Sequence, residues 1–256
     1  TVRCLQKNGF NPIVLDNLIN GHEEIVKSKL KVPFVKGNVG NKSLVGKILR
    51  GDHISTNFNE IDGVIHFAAY AYVGESIIKP LDYYKNNIGE SLNLFESIIN
   101  FNKNFNRDIP IVFSSTCATY GLTNTIPIEE NNEQKPINPY GYSKLVIERL
   151  LQDFSNAYGL KSIILRYFNA AGADPKGDIG EDHQPETHLI PLIFDVISKK
   201  RDHLKIFGND YLTKDGTCIR DFIHVCDLAS AHTKGLNWLL NQKNSKKFSP
   251  EVFNLG

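Results

Sequence analysis

The chain has 256 residues, 41% of them hydrophobic, with 29 basic against 28 acidic residues and a formal charge of +1. That length suffices for one large domain and part of a second, and the interleaved charges form no basic face or acidic tail that would suggest nucleic acid. No apolar run approaches the ~20 residues of a membrane span and none reads as a signal peptide, so a cytoplasmic enzyme is the expectation. The four cysteines, Cys4, Cys117, Cys218 and Cys226, lack Cys-x-x-Cys pairing or a His partner at metal spacing. They are expected to be reduced, mostly buried thiols, with neither a disulfide nor a metal site.

In chain order, residues 1–8 carry Val2 and Leu5 at helical spacing and stop at Gly9, which tolerates the left-handed backbone of a helix C-terminus. Pro12 to Asp16 is a short apolar strand ending in a carboxylate. In a dinucleotide-binding βαβ unit, a Gly-rich phosphate turn precedes such a carboxylate by about 20 residues, and the carboxylate accepts the ribose hydroxyls. Counting back from Asp16 puts that turn before Thr1. The chain also contains no methionine, and Val252 to Gly256 reads as a strand ending where a connection should begin. The expectation is a chain cut at both ends, its first strand and Gly-rich turn missing. Asp16 is read as a ribose ligand, NAD being favoured over NADP because a carboxylate repels a 2′-phosphate. The plainer alternative is a turn-forming Asp beside Asn17.

Val32 to Asn38 and Gly63 to Ala69 are further strands running into turns, the second apolar as buried parallel strands are. Its exit through Ala68 and Ala69 lets a flat cofactor lie near the backbone, and His66 reads as a packed strand residue. Pro80 opens a long helix with Leu81, Tyr84, Ile88, Leu92 and Phe95 as its expected buried stripe. Asn86 and Asn87 interrupt it, and an amide near an apolar face must find a partner. Ile111 to Ser115 is a buried strand running into Thr116, a helix spans Tyr140 to Tyr158, and Ser162 to Asn169 is another strand.

Strands alternating with helices at this spacing mean an α/β fold, a doubly wound parallel (Rossmann-type) sheet with right-handed crossovers. The Gly-, Asp- and Pro-rich stretch 170–185 marks irregular backbone leading into a second, smaller substrate domain. A helix over 187–200, a strand over 204–208, an extended segment over 220–225 and a helix from Cys226 to Leu240 follow. The expected division is 1–169 for the dinucleotide-binding domain and 170–256 mainly for the substrate domain. Segments near 219–240 and 252–256 are expected to return to the first domain.

Tyr140 and Lys144 stand at i and i+4 and so share a helix face. A phenol with a pKa near ~10 is a poor base at neutral pH, but a nearby cation favours the phenolate and makes Tyr140 a usable acid/base. Such a pair is also ordinary on a surface helix. Here it accompanies Thr116, at the carboxyl end of a strand where ligands of open α/β sheets sit, able to hydrogen-bond a substrate hydroxyl beside Tyr140.

Tyr-x-x-x-Lys placed two dozen residues after a strand ending in Ser/Thr resembles the extended short-chain dehydrogenase/reductase family. Further ordered motifs, Val14 to Leu18, Val73 to Ser76, Phe113 to Thr116, Pro139 to Gly141, Leu165 to Asn169, Gly208 to Tyr211, and Asp215 to Thr217 with Arg220 and Asp221, are similar to the UDP-sugar 4-epimerases of that family. The likeness covers essentially all 256 residues. It implies transient oxidation at sugar C4 by bound NAD, interconverting UDP-glucose and UDP-galactose. Tyr140, Lys144 and Thr116 would be catalytic. Asp16, Asn17, Asn38, Phe67, Ala68, Asn86 and Phe168 would contact NAD together with Tyr140 and Lys144. Asn169, His188, Phe207 and Arg220 would join Thr116 and Tyr140 on the UDP-sugar, the Arg220 guanidinium gripping diphosphate oxygens as a fork. A cytoplasmic homodimer is implied, with no nucleic-acid or membrane partner.

The chain departs from the family pattern at Ala69 and Ala71, where Gly and Lys are common, and at His188, where an Asn is. Other readings stay open: a UDP-N-acetylglucosamine or UDP-pentose epimerase, a 4,6-dehydratase, or a non-catalytic nucleotide-sugar-binding relative. Against the dehydratase, Cys117 and Ala118 follow Thr116 where dehydration needs an acid and a base.

Overall fold

Four apolar runs build the central sheet in the order β3-β4-β5-β8, all parallel. They are β3 (Val64–His66), β4 (Ile111–Thr116), β5 (Ser162–Tyr167) and β8 (Glu251–Leu255). A separate parallel pair is formed by β1 (Val14–Asp16) and β2 (Phe34–Lys36), and a third by β6 (Asn169–Ala171) and β7 (Phe222–His224). The computed structural model describes residues 1–52, 61–123, 125–183, 185–242 and 248–256. The helices are α1 (Val2–Lys7), α2 (Lys42–Leu49), α3 (Val73–Ile78), α4 (Pro80–Tyr83), α5 (Ser91–Phe105), α6 (Pro139–Tyr158), α7 (Leu189–Ile197) and α8 (Val225–Leu240). None of them is long and apolar enough to cross a membrane.

Strand alternation sorts the core onto two faces. Ile111, Phe113 and Ile164 point into a cluster with Leu94, Phe95 and Ile98 of α5, Ile147 and Leu151 of α6, and Val45 and Leu49 of α2. Val112, Ile163 and Leu165 point the other way, onto Leu5 of α1 and Leu236 and Leu239 of α8. Helices therefore cover both faces of a parallel sheet, the doubly wound arrangement expected.

The helix opened by Pro80 holds a surprise at its middle: between α4 and α5 the backbone is π-helical over Tyr84–Glu90, where the two asparagines sit. The buried positions are Tyr83, Asn87, Ser91, Leu94, Phe95, Ile98 and Phe101. Leu81, Tyr84 and Leu92 of the expected stripe are exposed instead. The reason is that the buried side carries polar groups that find partners, which a purely apolar periodicity passes over.

Three other expectations are corrected. Residues 204–208 form no strand, the helix over 187–200 shortens to α7, and the four free cysteines are each half-buried.

Candidate active site

Helix α6 begins sharply. Asn138 caps it by accepting from Gly141 N at 2.8 Å, and Pro139 occupies the first helical position, where its missing N–H is not needed. A Cβ on Gly141 would lie 2.5 Å from the Ala118 carbonyl oxygen, so only glycine lets the first turn of α6 press against the 3-10 turn Cys117–Thr119 that follows β4. That close approach sets Tyr140 against Thr116, whose hydroxyl is near enough to hydrogen-bond the phenol. Thr116 Oγ1 also accepts from Ala118 N at 3.2 Å. On the next strand, Tyr167 lies in register with Thr116 and shares a 2.6 Å hydrogen bond with Ser114 Oγ.

One turn along α6, Lys144 is buried and donates to the Ser114 carbonyl at 2.8 Å. Its Nζ lies 4.9 Å from the centre of the Phe113 ring and 6.0 Å from that of Tyr140. The expected lowering of the phenol by the lysine is not what this arrangement gives. Burial pushes the Tyr140 phenol well above its ordinary value, with Tyr167 adding to the effect and the Thr116 hydrogen bond opposing it. Burial also brings the Lys144 ammonium down to about 7, against a smaller upward pull from Glu148. His66 is brought down to about 3, mainly by burial; it packs between Phe95 and Phe113 and meets Ser91 Oγ at 2.8 Å, a core residue.

The buried lysine has a measurable consequence. Unfolded it titrates near 10.5 and folded near about 7, so stability rises with pH across that window, by roughly 1.4 kcal/mol per unit, and the penalty is fully present below it. Lys144→Met is expected to be the more stable protein at pH 7. Urea melts should show its advantage shrinking by on the order of 2–3 kcal/mol at pH 9.5. An advantage that does not change with pH would mean that Lys144 keeps its charge when folded.

The residues expected to contact the cofactor divide into two groups. Asn17, Asn38 and Asn86 line one cleft of about 230 Å³ together with Ile19, Tyr70, Asp82, Lys85 and Glu90. Asp16 ends β1 beside it; its Oδ1 accepts from Leu18 N at 2.6 Å, and among the described residues its Oδ2 accepts no hydrogen bond. Asn17 and Asn38 hold their own turns, accepting from Ile19 N and Gly40 N. Asn86 donates to Asn87 Oδ1 at 3.0 Å, leaving its carbonyl oxygen free among the described residues. Farther along the strand ends, Phe67 and Ala68 follow β3, the Phe67 ring packing tilted against His232 with centres 4.6 Å apart, while Phe168 follows β5. This donor set, a carboxylate and three amides at the carboxyl ends of β1 and β2 and within the π segment, fits the hydroxyls and amide of a dinucleotide.

The residues expected on the substrate are less assembled. Asn169 is fixed in β6, its side chain donating to the Asp221 carbonyl at 2.6 Å. Arg220 is near enough to Cys117 to bear on its thiol, and among the described residues no carboxylate pairs with it, so the ion pair with Asp221 is not made. Phe207 is 83% exposed. His188 is turned onto Glu181.

Sequence spacing marked Asn87 as an amide in need of a partner but passed over Glu148 and Arg166, and these residues hold the site rigid. Asn87 is fully buried. It accepts from Tyr70 N at 2.8 Å and donates to Tyr70 O at 3.0 Å and to Ser143 Oγ at 2.9 Å, pinning the π segment to α6. Glu148, one turn beyond Lys144, pairs with Arg166 of β5 at 2.6 Å and accepts from Ser115 Oγ and Gln134. Arg166 reaches on to Tyr120 Oη at 2.7 Å and the Glu130 carbonyl at 3.0 Å. Arg166 inside the otherwise apolar run of β5 is the signal that could have pointed to a buried charge in need of a partner, though not to which partner.

A family model described as "NAD dependent epimerase/dehydratase family" matches residues 1–256. A UDP-glucose 4-epimerase of Rhizobium meliloti is 45% identical over 239 residues, 93% of this chain and 68% of that protein. The crystal structure of a Brucella ovis UDP-glucose 4-epimerase in complex with NAD superposes with a TM-score of 0.88 at 41% identity, covering all of this chain and 72% of the other. A Bifidobacterium longum UDP-glucose 4-epimerase in complex with NAD+ and UDP gives 0.84 at 34% identity, covering 100% and 73%.

Proposed function

The chain belongs to the NAD dependent epimerase/dehydratase family, and from that premise we propose that it interconverts UDP-glucose and UDP-galactose by transient NAD-dependent oxidation at sugar C4. What carries the reading is the Tyr140 phenol set beside Thr116 at the carboxyl end of β4, with the buried Lys144 one turn along α6. NAD, when bound, supplies the acceptance and return of hydride at C4. Asp16, Asn17, Asn38, Phe67, Ala68, Asn86 and Phe168 would hold it. Tyr140 takes the proton of the 4-hydroxyl and gives it back, and Thr116 orients that hydroxyl. Burial makes the phenol hold its proton tightly, so Tyr140 acts as a base only when positive charge is brought beside it. Lys144, its Nζ 6.0 Å from the centre of the Tyr140 ring, regains its charge as the phenol ionises, because a phenolate beside it favours the ammonium. Arg220, near Cys117 and with no carboxylate partner among the described residues, is free for the diphosphate, with Asn169 and Phe207 on the remainder of the UDP-sugar.

Burial holds the Cys117 thiol above its ordinary value, so it stays protonated at neutral pH and offers no base for elimination of water. This favours epimerisation over dehydration. We further propose the division into a dinucleotide-binding part, 1–169 with 219–240 and 252–256, and a substrate part from the remainder of 170–256. Exposed Leu81 and Leu92 on α4 and α5 and Tyr142 on α6 suit a cytoplasmic homodimer packed through these helices.

The test is incubation of the protein and NAD with UDP-galactose carrying deuterium at C4, in ordinary water. UDP-glucose that retains the label at C4 is expected, because the hydride is returned within a closed site. Washout of the label would overturn the epimerase reading, and a product lacking the 6-hydroxyl would indicate a dehydratase.

A further inference from the structure

The connection between β6 and α7 carries a cluster that the reaction does not use. One donor atom from each of Glu181, His183, Glu186 and His188 lies within 4.8 Å of all the others. The two imidazoles stand edge to face with centres 5.0 Å apart. His183 Nδ1 is 3.1 Å from Glu181 Oε1 and 3.7 Å from Glu186 Oε1, yet it is shielded from solvent and makes no hydrogen bond. His188 Nδ1 meets the same Glu181 oxygen. His188 is also the N-cap residue of α7, and its side chain does not cap that helix, being committed to the cluster. Glu186 Oε1 accepts from Thr187 N at 2.7 Å and His188 N at 2.8 Å, which fixes the orientation of its carboxylate. Among the described residues, no Lys or Arg forms an ion pair with Glu181 or Glu186.

We propose that Glu181, His183, Glu186 and His188 bind one divalent transition-metal cation, zinc by their donor set, and that the cation clips the β6–α7 connection. Two neutral imidazole nitrogens and two carboxylate oxygens balance a double positive charge and suit a tetrahedral zinc site, with bonds of roughly 2.0–2.2 Å. Such bonds set ligand atoms about 3.5 Å apart, so a cluster spanning 4.8 Å closes by side-chain movement of about 1 Å. Imidazole ligands select against magnesium and calcium, which take oxygen alone. The backbone N–H groups on Glu186 supply the outer support that ligating carboxylates require. Four protein ligands leave no open position, so the cation would be structural. The sequence hid the site because its spacing, Glu-x-His-x-x-Glu-x-His, belongs to irregular backbone and to no helix or cysteine motif.

Protein stripped with EDTA and dialysed is titrated with zinc chloride by calorimetry, and separately loaded with cobalt(II) for visible spectroscopy. One equivalent of zinc per chain is expected, with cobalt d–d absorption and no thiolate charge-transfer band. The double substitution His183→Ala/His188→Ala, and independently Glu181→Gln, should weaken zinc binding, the double by at least about 10²-fold. Replacement of Cys4, Cys117, Cys218 and Cys226 by serine should leave it unchanged. Absence of stoichiometric zinc binding by the unsubstituted protein, a thiolate band, or binding that survives the double substitution would each overturn the proposal and leave an ordinary hydrogen-bonded loop. None of these readouts depends on turnover, so the proposal and the epimerase reading fail separately.

Discussion

Tyr140→Phe is expected to lower kcat by roughly 10²–10⁴-fold while the fold and the affinity for NAD stay as they are. The substitution keeps the ring and removes one hydroxyl, so the packing of α6 against the 3-10 turn, set by Gly141, is unaltered. Only proton transfer at the 4-hydroxyl is lost, because Thr116 remains to hold the substrate but has no basic form at neutral pH. Steady-state conversion of UDP-galactose, with circular dichroism to check the fold, measures the effect. A kcat within about 10-fold of the unsubstituted protein would remove Tyr140 from the reaction. The phenol starts from a raised pKa, so the missing step is one the site must work to make possible.

The largest loss of stability is expected at Glu148. Glu148→Leu leaves the Arg166 guanidinium buried without its counter-charge and strips Ser115 and Gln134 of their acceptor, at a cost of about 3–5 kcal/mol. Adding Arg166→Met removes the stranded charge, so the double variant should be more stable than Glu148→Leu alone despite carrying two substitutions. Guanidinium denaturation of the two variants decides it. Should the two substitutions simply add, the pair is not the coupled unit that its geometry describes.

The runs Ile111 to Thr116 and Ser162 to Tyr167 were legible because strands buried on both faces are apolar almost throughout, and the fold class follows from their spacing. The pairing of Tyr140 with Lys144 was legible as helix geometry, but its electrostatics were not. Spacing puts two groups on one face, whereas burial, which spacing cannot measure, decides that Lys144 loses charge and the phenol is not eased. The buried stripe of the Pro80 helix was misread because Asn87 and Ser91 face inward, and a hydrophobic count assigns such residues to water. Residues 204–208 have a strand's composition but, among the described residues, no neighbour to pair with, and a strand is a property of two segments. Glu148 and Arg166 lie 18 residues apart on different elements, so nothing local announces that they meet.

Asn254 gives the sheet's outermost strand an anchorage beyond its ladder to β5. Its Oδ1 accepts from Tyr120 Oη at 2.7 Å, its Nδ2 donates to the Ile128 carbonyl at 2.9 Å, and its backbone N–H donates to Glu130 Oε1 at 2.8 Å. Tyr120 in turn holds Arg166, and Glu130 holds it through a carbonyl. Peeling β8 away would therefore strand buried donors and acceptors as far in as the helix that bears Tyr140. Among the described residues β8 is the edge strand; edge strands ordinarily fray first, at little free energy, and one tied in this way is expected to open together with the catalytic helix, the two exchanging as a single cooperative unit.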